Sequence, residues 1–306
     1  MKKILVVLAG LLAMYPAQAC DVCGCSSASA ANFPGNFNRE NQLGWLYQFM
    51  AFQSLHLPSV QNGQVGYQMR SQEYFQVSAF TAGIRIIKNW QANVAIPLQY
   101  VSKTEESVQS HIFGMSDMQM GVTRFFEMDS IYKNHRLLMS ASYALKLPTG
   151  KYHSDMISES VSRYMIPGTG SFDHFFRVNA QYIIKSWSVS LRGLYRVNGS
   201  TRDGLNWGNR VQLQGDFGKV ISLKKMNDLY VSLGYLYEKG YRDFQNQEEL
   251  EFSAYSTGQM KAGMQWRKNR LAAGAMYFLP VNGKIANGRV HIQSRFQFQL
   301  TYYPKF

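Results

Sequence analysis

From Gln42 to the C-terminus the chain repeats one pattern, with apolar and polar side chains alternating at period two over segments of ten or more residues. In the last segment Ile292, Phe296, Phe298, Leu300 and Tyr302 share one face, and Gln293, Arg295, Gln297, Gln299 and Thr301 share the other. The same division recurs upstream. Trp187, Val189, Leu191 and Tyr195 oppose Ser188, Ser190, Arg192 and Arg196; Val211, Leu213 and Phe217 oppose Arg210, Gln212, Gln214 and Asp216. Period two places successive side chains on opposite faces of a strand. The segments exceed the usual strand of about 5–6 residues and match the roughly 9–11 residues that a tilted strand needs to cross a bilayer. The alternation slips over Gln72–Ile87 and Ser116–Phe126.

The connections alternate as well. Short links fall around Lys88-Asn89, Lys185-Ser186 and Lys268-Asn269. Longer polar stretches fall at Leu57–Ser71, Thr104–Phe113, Thr149–Ser171, Asn198–Asn206, Arg242–Glu249 and Val281–Val290. Short-then-long alternation is the pattern of periplasmic turns and extracellular loops. A sheet cannot cross hydrocarbon with open edges, so it must close, and alternate side chains then face lipid and lumen. A soluble sandwich would show the same alternation with shorter strands. The predicted fold is therefore all-β, a transmembrane antiparallel up-and-down β-barrel of about twelve strands over residues 42–306. The even count returns both termini to the periplasm.

The first residues strengthen this reading. Lys2 and Lys3 precede an apolar core, Ile4–Met14, and Ala17-Gln18-Ala19 has the small-x-small form of a cleavage site, so residues 1–19 read as a secretory signal peptide. Residues 20–41 then form a periplasmic N-terminal tail holding the chain's three cysteines, Cys20, Cys23 and Cys25. Three readings of that cluster stay open. Cys20 could carry a lipid, although Ala17 is not the usual aliphatic residue three places upstream. Cys23 could pair with Cys25 or Cys20 in the oxidising periplasm. The three thiolates could instead hold a soft metal such as Cu or Zn.

Composition narrows the class. Aromatic residues make up 14% of the chain, a load that excludes disorder. Mean hydropathy is −0.25, and no long apolar run follows the signal, which argues against helical spans. The formal net charge of +13 includes Lys2 and Lys3. A basic surface suits the phosphate-rich lipid and lipopolysaccharide of an outer membrane. No nucleic-acid-binding motif is present, so no nucleic acid is expected as a partner. Aromatics near segment ends, among them Trp45, Tyr47, Trp187, Trp207 and Trp266, suit interfacial girdles. The terminal Phe306 resembles the signal read by the outer-membrane assembly machinery.

Leu147-Pro148-Thr149-Gly150, followed by Pro167-Gly168-Thr169-Gly170-Ser171-Phe172-Asp173, resembles a signature of outer-membrane transporter barrels, including those of meta-pathway phenol degradation. Cys20-Asp21-Val22-Cys23-Gly24-Cys25 resembles a Bacteroidetes subset of such barrels. Gly114-Met115-Ser116-Asp117 loosely matches a strand start of the same family. The resemblance implies a transport or channel role. Read from the residues alone, the signature is structural. Pro148 ends strand pairing, the glycines permit conformations closed to other residues, and the loop, roughly Lys151–Ile166, is long enough to fold into the mouth.

Catalytic patterns are missing. There is no G-x-S-x-G, HExxH, Walker or Rossmann motif, so no enzyme activity is expected. His56, His111, His153 and His291 fall in or near expected loops, and His174 falls on the lipid-facing parity. By parity the lumen carries Lys146, Arg177, Arg192, Arg196, Arg210, Lys261 and Arg295, together with Asp117, Asp173, Asp216 and Glu238. Both signs are present, so the interior is either a paired network or a hydrated path whose basic excess favours anionic or polar aromatic solutes. The expected function is an outer-membrane channel or transporter for small solutes. Its rivals are a non-transporting barrel that binds a soft metal or periplasmic partner through the cysteines, and an outer-membrane hydrolase with a Ser beside a His.

Overall fold

Every wall strand pairs antiparallel with its neighbours in chain order. The computed structural model describes residues 40–55, 60–61, 64–65, 70–105, 108–129, 135–152, 164–223, 227–251 and 253–305. The wall is built from β1 (Gln42–Leu55), β2 (Arg70–Ile87), β3 (Trp90–Glu105), β4 (Val108–Met115), β5 (Gln119–Asp129), β6 (His135–Lys146) and β7 (Asp173–Ile184). It continues with β8 (Trp187–Val197), β9 (Arg210–Leu223), β10 (Asn227–Gly240), β11 (Tyr255–Lys268), β12 (Leu271–Ile285) and β13 (Val290–Tyr302). β4 and β5 lie end to end against β3, so together they count as one stave. β1 pairs with both β2 and β13 and closes the ring at twelve staves. Closure satisfies the backbone at every edge, where an unpaired group facing hydrocarbon would cost several kcal/mol.

The outer surface is apolar. Val178, Leu191, Leu213, Leu233, Met264 and Leu300 are all exposed there, on six different staves. A soluble protein would not present so continuous an apolar wall, and in a bilayer it faces acyl chains. Trp187 and Phe217 stack at 5.1 Å on this face, and Lys219 lies over the Trp187 ring. His111, His135 and His174 hydrogen-bond the tyrosine hydroxyls of Tyr100, Tyr182 and Tyr143.

One end of the barrel carries the tight turns and the first and last described residues, Glu40 and Lys305. Lys185 and Asn269 take left-handed backbone there, with φ of 53° and 52°. The other end carries the long connections. Two expected loops are shorter than the polarity suggested. Thr104–Phe113 is largely a hairpin of β3 and β4, with Glu105 facing Val108 across residues 106–107. β12 runs on to Ile285, leaving a brief 3-10 turn at Ala286–Gly288. Strands that project beyond a membrane face water on their outer side, so polarity there does not end pairing.

The two places where alternation slips have structural causes. On β2 the inward residues Phe75, Val77 and Ala79 are buried apolar groups, and the outward Gln76 and Ser78 are polar. Their polarity is satisfied on the outer face, where the Tyr47 hydroxyl donates to Gln76 Oε1 at 3.0 Å and Trp45 Nε1 to Ser78 Oγ at 2.7 Å. The second slip is a break at residues 116–118. The Pro97 carbonyl accepts from Ser116 N–H at 2.9 Å. Proline has no N–H to return, so the ladder facing it cannot be completed. The signal peptide, Cys20, Cys23, Cys25 and Phe306 lie outside the described residues.

Candidate functional site

The break opposite Pro97 turns Asp117 into the barrel, where it is 2% exposed. It is not part of a strand, as its parity had implied, but joins the strand break to both arms of the loop that follows β6. Its Oδ1 accepts the Gly150 N–H at 2.9 Å. Its Oδ2 accepts the Thr169 N–H at 2.9 Å and the Thr169 hydroxyl at 2.6 Å. Lys146 Nζ lies 3.1 Å from the same carboxylate.

Lys146 also reaches Asp173 at 2.5 Å, and Arg196 donates through Nε to Asp173 at 3.1 Å and again through Nη2. Asp173 accepts further from the Ser171 hydroxyl at 2.8 Å and the Gly199 N–H at 3.1 Å. Two acids and two bases thus form a neutral, buried belt along β5–β8. Register explains it: Lys146 faces Asp173 across β6–β7, and Arg196 faces Phe175 across β7–β8. Two further pairs stand on the other side of the bore, Lys261–Asp216 at 2.6 Å and Arg295–Glu238 at 3.1 Å. Arg210 lies with its guanidinium over the Tyr255 ring. Buried charges must be paired because an isolated one would cost several kcal/mol.

The belt holds the two described arms of the loop that follows β6, residues 147–152 and 164–172. Gly150 and Gly168 touch backbone to backbone, so a Cβ built on Gly168 would sit 2.6 Å from the Gly150 carbonyl carbon. Gly170 has φ of +66°, with Tyr152 packed against it. These contacts give the glycines of both motifs their structural reason. Gly168→Ala is expected to cost about 1–3 kcal/mol of stability through overpacking, read as a lowered unfolding midpoint in detergent.

From this anchor the chain runs inward as Tyr164, Met165 and Ile166, which are 8%, 1% and 2% exposed. Met165 joins a buried cluster with Met50, Phe52, Phe75, Val101, Ile285 and Val290 from the wall and the Ala286 turn. Gln99 on β3 donates to the Met165 carbonyl at 3.5 Å. Tyr164 packs edge-on against Trp207 at 5.4 Å and donates to Asp243. Asp243 also accepts the Gly208 N–H at 2.7 Å. Trp207 is therefore a buried mouth residue, not a girdle residue. The mouth at the long-loop end is stoppered by apolar side chains.

Toward the end with the tight turns the interior changes character. A partly open cavity of about 100 Å³ is lined by Gln42, Asn93, Gln119, Ser142, Arg177 and Arg192, among other side chains. Apart from the two arginines, its inward groups are mostly amides, hydroxyls and small side chains. The interior thus reads along its axis as polar vestibule, charged belt and apolar stopper.

Comparison with solved structures gives the architecture a precedent. The COG4313 outer-membrane channel from Pseudomonas putida F1 superposes over 88% of this chain and 98% of its own, with a TM-score of 0.67 at 10% identity. The fold is that of a solved outer-membrane channel. The β domain of the Bordetella autotransporter BrkA covers 87% of this chain and 100% of its own at a TM-score of 0.48 and 11% identity. The NanC porin covers 85% and 100% at 0.42 and 11%. No protein-family model and no curated protein sequence matches the chain.

Sequence reasoning placed Asp117, Lys146, Asp173, Arg177, Arg192, Arg196, Arg210, Asp216, Glu238, Lys261 and Arg295 in the lumen. The structure puts them all on the interior side, divided between the belt, the two facing pairs, the Tyr255 contact and the vestibule. It missed Tyr164, Met165 and Ile166 as individual residues. Their signal is an apolar run just before Pro167 in an otherwise polar loop. It also missed the buried Lys103, which stands just before the expected Thr104–Phe113 loop and pairs at 2.8 Å with Glu105 inside it.

Proposed function

We propose that the protein is an outer-membrane channel for small polar solutes, with its extracellular mouth closed in this conformation by the loop that carries Met165. The observation that carries this reading is a partly open cavity with polar groups in its lining, inside a closed barrel, at the end opposite the one where Met165 is buried. A barrel serving only as an anchor has no need of a hydrated interior. In this reading both termini are periplasmic, the outer wall contacts lipid and lipopolysaccharide, and Phe306 is the recognition point for the assembly machinery. The two acids and two bases of the belt balance in charge.

The stopper gives the test. Met165 is 1% exposed, and trimming a buried methionine costs about 2–5 kcal/mol. Met165→Ser is expected to increase open probability in planar bilayers by about tenfold or more over a rarely conducting wild type. If neither barrel, both shown to be folded, passes ions or small solutes, the channel reading is wrong.

A further inference from the structure

Most lumen cations have an acid in contact. Lys146 holds Asp117 and Asp173, Arg196 holds Asp173, Lys261 holds Asp216, Arg295 holds Glu238, and Lys103 holds Glu105. Arg177 and Arg192 differ. Both line the vestibule, and among the described residues neither has a carboxylate within ion-pair distance. Arg177 donates to the neutral Gln119 Oε1 at a long 3.4 Å and lies over the Phe175 ring at 5.2 Å.

Register brings the two together. On paired strands β7 and β8, Arg192 faces Asn179 and Leu194 faces Arg177, so the arginines are diagonal neighbours. Diagonal positions on one face stand about 7–8 Å apart at the backbone, within reach of long side chains. The acid diagonal to Arg192 across β8–β9 is Asp216, which is already held by Lys261 at 2.6 Å and by Gln214 at 2.9 Å. Around the pair stand Ser140, Ser142 and Asn179, which add neutral hydrogen-bonding groups. Both side chains line the same vestibule, and an anion held there would give each guanidinium the charged partner that no contacting carboxylate supplies. The guanidinium fork matches the paired oxygens of carboxylate and phosphate, and it stays charged at all working pH values.

We propose that Arg177 and Arg192 form a saturable binding site for a small oxyanion, a carboxylate or phosphoryl group presented by a solute in the vestibule. The site's role rests on the channel reading, but binding does not require passage, so the two can fail separately.

The test is calorimetric titration of the purified barrel in a phosphate-free sugar detergent, with inorganic phosphate and with succinate. The expected result is saturable binding of both, weakened about tenfold or more in R177Q/R192Q, as the loss of charge-assisted hydrogen bonds implies. R177K/R192K should retain part of the affinity, because charge survives without the fork. K268Q, at an exposed position by the Asn269 turn, should bind as the wild type does. No saturable binding to the folded wild type overturns the proposal, as does equal affinity in R177Q/R192Q. If that double variant does not fold, R192Q and the lysine pair decide by the same criterion. Binding without solute passage in liposomes supports the site and sinks the channel. Passage without binding leaves the channel and removes the site.

Discussion

Asp173→Ala is expected to be the most destabilising single substitution in the barrel interior. The carboxylate is fully buried and accepts from Lys146, Arg196, Ser171 and Gly199 together. Removing it leaves Lys146 with Asp117 and strands Arg196 without a contacting acid. Breaking a buried pair by deleting one partner costs about 3–5 kcal/mol, because the surviving charge stays desolvated. The prediction becomes specific in a second step. Adding Arg196→Met to Asp173→Ala removes the stranded cation, leaving Lys146 with Asp117. Much of the lost stability should return, a non-additivity expected only of groups in one network. Chemical unfolding of the refolded barrel measures both variants. Should Arg196→Met destabilise the Asp173→Ala barrel further, Arg196 contributes mainly through its packing over Phe175, 5.1 Å from the ring, and the charge account is wrong.

The sequence was most legible where the barrel is simplest. On β8, β9 and the C-terminal half of β13 the outside is apolar and the inside mostly polar, so parity alone assigns faces to Arg192, Asp216 or Arg295. It failed on β2, where the loop inserts. Phe75 and Val77 turn inward to meet the apolar cluster around Met165, and Trp45 and Tyr47 supply partners to the displaced polar groups outside. A strand that packs against an inserted loop loses its contrast, and nothing local marks the cause. Partner identity was hidden for a different reason. Parity names the face, but pairing needs register, and register shifts at Ala51/Phe52 and at Gly258/Gln259. Hence the lumen charges could be named while their division into a neutral belt, two facing pairs and two arginines without a contacting carboxylate could not. Asp117 shows both limits. Its inward position follows from a proline twenty residues earlier, through a ladder bond that Pro97 cannot donate.

Asp117→Ala is expected to have the largest effect on passage through the barrel. Its carboxylate accepts three hydrogen bonds from Gly150 and Thr169, on the two arms of the loop, and pairs with Lys146. Hydrogen bonds to a charged group contribute about 1.5–3 kcal/mol each and are not additive here, since one group supplies all of them. Other contacts still hold the arms: Ser116 Oγ donates to the Pro167 carbonyl at 2.5 Å, and the Gly168 N–H to the Lys151 carbonyl at 3.0 Å. The loop should therefore remain attached at its base but lose preference for the inserted position. Only the part of the lost energy that differs between inserted and released states shifts the balance. If that part is about 3 kcal/mol, the released fraction rises roughly a hundredfold. Bilayer recordings should then show frequent long openings, and protease added from outside should cut near Met165. Asp117→Asn, which keeps an acceptor without the charge, should fall between the two. A barrel that loses stability on Asp117→Ala while its conductance and protease resistance stay unchanged would show that the anchor fixes the strand break alone, with the stopper held from the Met165 side by Gln99 and the apolar cluster.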